Sequence, residues 1–372
     1  MKINTDPNGF AHFAERSAEI EELRRLPQDV VDRLIDAGVF RMWIPQQHNG
    51  AELSLLEGLT TIENIAYQDG STGWCAMIGA TTALVAAFLP ERFAAQIYGR
   101  NPRVVTGGFA MPAGRATRVD GGLRVSGHWS WGSGIQHCQW IGGGCFIVEE
   151  KCPVFALFEA EQINILDTWY TMGLRGTGST DYETEDAFVP EGRWVALGVD
   201  LPRVPGALYR FPFWGALAMG VTSVSLGLAR RAIDELKQSA LTKKPAGSNR
   251  VLAERPIVQT QIAEAEAAVL SSQALLHQTV NDAWQTAETG RELTVEQRRL
   301  LRLAATNATL QSAHAVDLMY HAAGGSAVFT DSALQRVFRD VHVATQHAMV
   351  SPRIYELVGR LSLGLETDTT LL

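Results

Sequence analysis

The chain has 372 residues, of which 46% are hydrophobic and 19% charged, and its formal net charge is −8. Such a length divides into two or three domains with ample material for cores, and the acidic balance without a Lys/Arg run argues against nucleic acid as a partner. No apolar run approaches the thickness of a bilayer, so no membrane span is expected. The opening Met1-Lys2-Ile3-Asn4-Thr5-Asp6 has neither the apolar core nor the cleavage site of a signal peptide. Cys75, Cys138, Cys145 and Cys152 lack the spacing of a zinc or redox site and read as free, mostly buried thiols in a reducing cytoplasm; no metal site is expected.

Residues 1–103 read as a helical domain. Pro27-Gln28-Asp29 opens an amphipathic segment with Val30, Val31, Leu34 and Ile35 on one side, closed by Gly38. Ser54-Leu55-Leu56-Glu57 has the spacing of a capping box. The small-residue run Ala76–Leu89 suits close helix packing or leaves room for a ligand, packing being the reading preferred. From 104 to 205 the period becomes that of strands (103–106, 116–119, 123–131, 140–148 and 154–158), with Asp120-Gly121-Gly122 as a turn. This block is expected to be a central antiparallel β-barrel or sandwich. From 206 to 372 long helices return, with Leu217, Val221, Val224 and Leu228 at helical spacing and a second capping box at Thr294-Val295-Glu296-Gln297. Gly324-Gly325 interrupts the pattern, and a last helix is expected from Val337 to Ala348. The fold class is α+β multidomain: helical domain, β domain, four-helix bundle.

Within the β block, Val125–Trp140 carries the most chemistry. Trp129 and Trp131 alternate with small polar residues, which in a regular strand places both indoles on one face. Gly132-Ser133-Gly134 then ends the strand, leaving amides and a hydroxyl free. A flat aromatic surface beside such donors suits a planar heteroaromatic ring such as a flavin; a core strand followed by a Gly-Ser turn is the plainer reading. Met172–Ser179 is rich in glycine and hydroxyls but lacks the spacing of the known phosphate-binding motifs, and as a plain turn it is equally well explained.

The order of these blocks and six short motifs resemble the acyl-CoA dehydrogenase superfamily over nearly the whole chain. The motifs are Leu34–Phe40 with Trp43-Ile44-Pro45, Val125–Trp129, Met172–Gly176, Pro256-Ile257 with Gln261, Gly324-Gly325 and Arg339-Asp340-Val341. The resemblance implies flavin between β domain and bundle, and a homotetramer in which a neighbour's bundle helps to hold it. In the dehydrogenases a glutamate a short way after the Arg-Asp pair removes a substrate proton; here Ala348 stands there, preceded by His347. A methyl group accepts no proton. With Ser133-Gly134 and His137–Trp140, this departure is similar to the two-component monooxygenases on that fold. Those oxygenases take reduced FMN or FAD from a separate NAD(P)H-dependent reductase, bind O2, form a flavin C4a-hydroperoxide and hydroxylate or epoxidise phenol-like or indole-like compounds.

That resemblance implies catalytic roles for Ser133, at the flavin N5 edge, and for His347, as an acid–base group acting near neutral pH. Trp129 and Trp131 would wall the ring together with Gly134. The phosphates would be held by Arg175, Gly176, Thr177 and Ser179, by Arg250, and by Gly324-Gly325 from a neighbouring subunit. Trp74, Phe213, Trp214, His347 and Met349 would line the substrate site, with Phe211 equally well a core residue. These side chains favour a flat, largely uncharged aromatic molecule, and no clamp for a charged one is evident. His137 would orient its loop, and His342 would not share a face with His347. The alternatives are an acyl-CoA dehydrogenase with its base relocated and a flavin-free scaffold on the same fold.

Overall fold

Residue 3 and residues 7–372 are described by the computed structural model, so most of the opening stretch read for a leader lies outside the described residues. Among these residues five α-helices precede the first strand: α1 (His12–Leu23), α2 (Gln28–Asp36), α3 (Leu55–Gln68), α4 (Gly70–Ala83) and α5 (Glu91–Ala94). The Ser54–Glu57 box forms in full, each side chain bonding the other residue's backbone N–H, because all its parts lie within one turn. Asp69 starts α4 by accepting the Thr72 N–H at 2.7 Å.

Seven strands follow: β1 (Thr106–Val119), β2 (Gly122–Gly132), β3 (Trp140–Ile147), β4 (Cys152–Glu159), β5 (Asn164–Ile165), β6 (Thr180–Pro190) and β7 (Trp194–Val195). They form one sheet in the order β5-β6-β2-β1-β3-β4-β7. Asp120-Gly121 joins β1 to β2, Gly121 taking a φ of +76°. The sheet is mixed rather than wholly antiparallel. After β2 the chain passes through a short turn at Ile135–His137 and returns on the far side of β1, so β3 runs parallel to it.

The remaining helices are α6 (Ala207–Arg210), α7 (Phe213–Ala240), α8 (Pro256–Glu288), α9 (Val295–Ala323), α10 (Ala333–Ala344) and α11 (Arg353–Ser362). The Thr294–Gln297 box caps α9. The small residues of α4 and α7 serve packing: a Cβ on Gly227 would lie 2.4 Å from the Glu63 carbonyl oxygen of α3. In consequence α3, α4 and the bundle share one apolar core. No described helix is long and apolar enough to cross a membrane. The four cysteines are free, with Cys75, Cys138 and Cys145 buried.

The helix expected to be last, α10, is shorter than expected and is followed by α11. The α-helix ends at Ala344, and residues 345–350 form turns closed by His347 N–H to Ala344 O and Val350 N–H to His347 O. His347 therefore stands on a turn rather than on a helix face. The Arg339-Asp340 pair latches this element to α1 and to the loop between β5 and β6. Arg339 donates to the Glu21 carboxylate of α1 and to the Met172 carbonyl. Asp340 Oδ1 accepts the Leu174 N–H at 2.6 Å, holding Leu174 at φ +48°. A Cβ at the preceding Gly173 would lie 2.3 Å from the Arg339 carbonyl oxygen, so only glycine allows this approach.

Burial pushes the Asp340 carboxyl up to about 7. The folded state then keeps a proton that the unfolded chain releases near pH ~4, so stability is full below that pH and falls as pH rises to about 7. Asp340→Asn retains an oxygen acceptor without the charge, and its stability relative to wild type is expected to be greater at pH 8 than at pH 5. Asp340→Ala leaves the Leu174 N–H unpaired and should cost on the order of 1–3 kcal/mol. Denaturant midpoints at the two pH values check both; equal offsets for Asp340→Asn would show that the carboxyl titrates normally.

Candidate active site

At the end of β2 the strand period fails. The pairing with β6 slips between Trp129 and Gly132, and Trp131 adopts φ +62°, the signature of a bulge. The two indoles therefore do not share a face, contrary to their alternation in sequence. Trp129 is fully buried, donating its indole N–H to Gly144 O at 2.7 Å and stacking on Tyr182 at 5.2 Å. It is a core residue of the sheet and cannot wall a ligand. Trp131 is 61% exposed and leans on Phe109 of β1 at 5.7 Å. This aromatic pair stands two residues from Ser133. Phe109 was missed because residues 107–115, rich in Gly and Ala, were not read as strand, so β1 was not expected to reach back to the end of β2.

Ser133 is the middle of a hydrogen-bond chain whose direction can be worked out. The Trp74 indole N–H donates to Ser133 Oγ at 2.9 Å, since indole nitrogen can only donate. At the other end the Thr177 hydroxyl donates to the Leu174 carbonyl at 2.8 Å, since a carbonyl can only accept. Thr177 has then spent its proton, so the 2.6 Å contact with Ser179 places the Ser179 proton on Thr177. The 2.6 Å contact between Ser133 and Ser179 in turn takes the Ser133 proton. Ser133 accepts once and donates once within the protein. What remains for a ligand is a lone pair, so the buried Ser133 could meet one only as an acceptor.

His347 approaches the same tryptophan from the other side, its ring edge-on to Trp74 at 5.7 Å. The Met349 N–H donates to His347 Nδ1 at 3.3 Å, which places the proton of the neutral ring on Nε2. Burial, assisted by the nearby Arg302 guanidinium, lowers the imidazole to about 4. At neutral pH His347 is thus an uncharged donor, not the acid–base group near pH 7 that its ordinary pKa suggests. Trp74, Trp214, Phe211 and Met349 are buried in one cluster, with Phe213 half-buried against Trp214 at 5.3 Å. A Cβ added at Gly215, near the start of α7, would lie 3.6 Å from Phe211 and 3.9 Å from Leu301 of α9, the residue before Arg302. That arginine lies 3.7 Å from Met349 Sδ and has no feature in the sequence to distinguish it.

The remaining expected site residues divide. Gly176 packs on Ile20 and Ser71, and the Thr177 and Ser179 hydroxyls are buried in the chain behind Ser133. Gly176, Thr177 and Ser179 therefore do not form an open phosphate cradle; they support the serine. Arg175 carries a buried Nε without a partner among the described residues, a donor suited to an anionic group. Gly134, at φ +68°, donates its N–H to Thr177 O at 2.8 Å and fits under the His137 ring. His342 pairs with Asp317 at 2.8 Å. Arg250, Gly324 and Gly325 are exposed at the other end of the bundle. Lys243 donates to Ala323 O and Ser326 Oγ there, tying the α7–α8 connection to the glycine turn. The 28 residues of α7, on the order of 40 Å, separate that end from Phe213. Within one chain these three residues do not reach Ser133. Among the described residues no cluster of three or more His, Cys, Asp or Glu could hold a metal ion.

The protonation state of His347 is directly measurable. Its imidazole resonances are expected to titrate near pH 4 and to report the Nε2–H tautomer throughout pH 5–8; a midpoint near 6.5 would contradict the neutral ring.

Comparison with known proteins places the chain in a family. Residues 10–93 match the acyl-CoA dehydrogenase N-terminal domain and residues 219–352 its C-terminal domain. Indole-3-acetate monooxygenase of Pseudomonas putida is 32% identical over 94% of this chain and 90% of its own length. The oxygenase subunit HsaA, a flavin-dependent monooxygenase of Mycobacterium tuberculosis, is 29% identical over 98% of this chain and 95% of its own. The crystal structure of 3-HSA hydroxylase from Rhodococcus sp. RHA1 superposes with a TM-score of 0.90 at 27% identity, covering 97% of this chain and 96% of that one. Similarity to such oxygenases over nearly the whole chain leads to one assignment: the chain belongs to the flavin-dependent monooxygenases of the acyl-CoA dehydrogenase fold.

Proposed function

We propose that this oxygenase acts on an indole-like or phenol-like aromatic compound in the space bounded by Trp74, Phe213, Trp214, His347 and Met349. The observation that carries the proposal is the position of Trp74, which touches His347 on one side and hydrogen-bonds Ser133 on the other. It joins an apolar, aromatic substrate wall to the one hydroxyl prepared for a cofactor.

The described residues fit a flavin. Ser133 offers an acceptor, Trp131 with Phe109 an exposed aromatic face, and Arg175 an unpaired buried donor. When bound, reduced flavin supplies the electrons that activate O2. The chain's own residues do the rest. Ser133 positions the ring edge, the buried indoles and methionine exclude water, and His347 Nε2–H holds the reacting oxygen or the substrate heteroatom as a neutral donor. No Asp or Glu among the described residues hydrogen-bonds Ser133, Trp74 or His347, and this favours oxygenation over an acyl-CoA dehydrogenase with a relocated base. Arg250 and Gly324-Gly325 would complete the cofactor site of a neighbouring copy in a homotetramer. Their exposure and the open space around both glycines support this role. The reduced FMN or FAD would come from a separate NAD(P)H:flavin reductase, and the free thiols favour the cytoplasm.

Anaerobic mixing with reduced FMN or FAD, then labelled O2 and a panel of indoles and phenols, tests the function. One labelled oxygen atom is expected in the product. Peroxide release without labelled product from any member of the panel would overturn it.

A further inference from the structure

Two carboxylates meet at one small cavity between α4 and α10. Asp69, at the start of α4, and Asp340, on α10, are 5% and 4% exposed. Both line a cavity of about 30 Å³, together with Ser17 of α1, Tyr67 of α3, Arg231 of α7 and Arg336 of α10. A Cβ on Gly70, the residue after Asp69, would lie 3.0 Å from Asp340 Oδ2. One oxygen of each carboxylate is engaged. Asp69 Oδ1 accepts the Thr72 N–H and hydroxyl, both at 2.7 Å, and Asp340 Oδ1 accepts the Leu174 N–H at 2.6 Å. The nearby cations are committed elsewhere: Arg336 and Arg339 pair with Glu21, and Arg231 with Glu235. The Tyr67 hydroxyl donates to Asp234 at 2.9 Å. Among the described residues no salt bridge reaches either aspartate. Arg336 and Arg339 thus face three carboxylates, Glu21 included, and the group is neutral when the two aspartates keep one proton. Like charges in so dry a space do not both ionise readily.

We infer that Asp69 and Asp340 share one proton across this cavity and act as positioning residues for the oxygenation, holding α4 with its Trp74 against α10 and the His347 turn. The inference rests on the proposed substrate site and adds to it a means of setting its width. Trp74 follows Asp69 by five residues and His347 follows Asp340 by seven, so the pair joins the two elements whose rings meet at 5.7 Å. With one proton the carboxylates attract each other, directly or through a water for which the cavity has room. With none they repel, and α10 is pressed away from α4. Burial, and after it the nearby Asp69 carboxylate, raise Asp340 to about 7, and burial raises Asp69 as well. The shared proton is therefore lost as pH rises through about 7, as a property of the pair. His347, lowered to about 4, keeps its neutral form throughout that change.

The test measures product formed per O2 consumed between pH 6 and pH 9, on the full protein supplied with reduced FMN and an uncharged indole from the panel. This ratio does not depend on how much of the protein is folded, so a merely structural role leaves it unmoved. Wild type is expected to lose coupling several-fold along a single ionisation curve, releasing peroxide in place of product. Asp340→Asn keeps an acceptor for Leu174 and offers Asp69 a permanent N–H in place of the shared proton. Asp69→Asn does the same from the other side and still caps α4. Both variants should hold the ratio near its wild-type pH 6 value up to pH 9, whereas titration of the flavin itself would show in all three proteins alike. A wild-type ratio constant over this range, or a fall that persists in both variants, would overturn the shared proton. If one variant fails to fold, the other and the wild-type profile still decide. Oxygenation with pH-independent coupling loses the dyad alone, whereas peroxide without product from every indole and phenol at every pH loses the site reading as well.

Discussion

One indole N–H determines how this site can work. Trp74 Nε1 has a proton to give and no lone pair to offer, and the atom it gives to is Ser133 Oγ. At the far end of the same chain the Leu174 carbonyl can only receive. Between these two fixed ends every hydroxyl proton points one way, from Ser133 through Ser179 to Thr177. Reversing any member would set two lone pairs against each other at 2.6–2.8 Å, in surroundings too dry to screen them. The serine proposed to meet the cofactor is thereby made an acceptor. The N5 edge of a flavin carries a hydrogen when reduced and a lone pair when oxidised, so this polarity suits the reduced form.

The chain is held in place from outside the sheet. Its carbonyl terminus belongs to Leu174, kept in a left-handed conformation by Asp340 of α10, while Arg339 ties the same helix to α1. Seven residues beyond Asp340 stands His347, its tautomer set by the Met349 N–H. The two sides of the site therefore hang from one short stretch of bundle. The Arg-Asp motif acts at a distance from the chemistry, by fixing where the loop hydroxyls and the imidazole stand relative to Trp74.

Legibility in the sequence followed the range of the interactions. Capping boxes are complete within four residues, and both formed where their spacing indicated. Helical periodicity located the bundle, and six short motifs in order revealed the family. Strand β6 went unread because acidic residues on its exposed positions mask the inward Tyr182, Ala187 and Val189. The alternation of Trp129 and Trp131 misled because a bulge depends on the partner strand. The hydroxyls of Thr177 and Ser179 were noticed, but that they face Ser133 rather than a phosphate follows only from how the loop packs on α1 and α4. Arg302 left no local trace at all: its burial is set by Met349 and the C-terminal turn, far away in the chain.

Anaerobic titration with oxidised and with reduced flavin measures the polarity of Ser133 most directly. Wild type should bind the reduced form at least tenfold more tightly, and Ser179→Ala, which frees the serine proton to turn outward, should narrow that gap by tightening oxidised flavin. Equal affinity for both redox states in wild type, or a gap untouched by Ser179→Ala, would contradict the account.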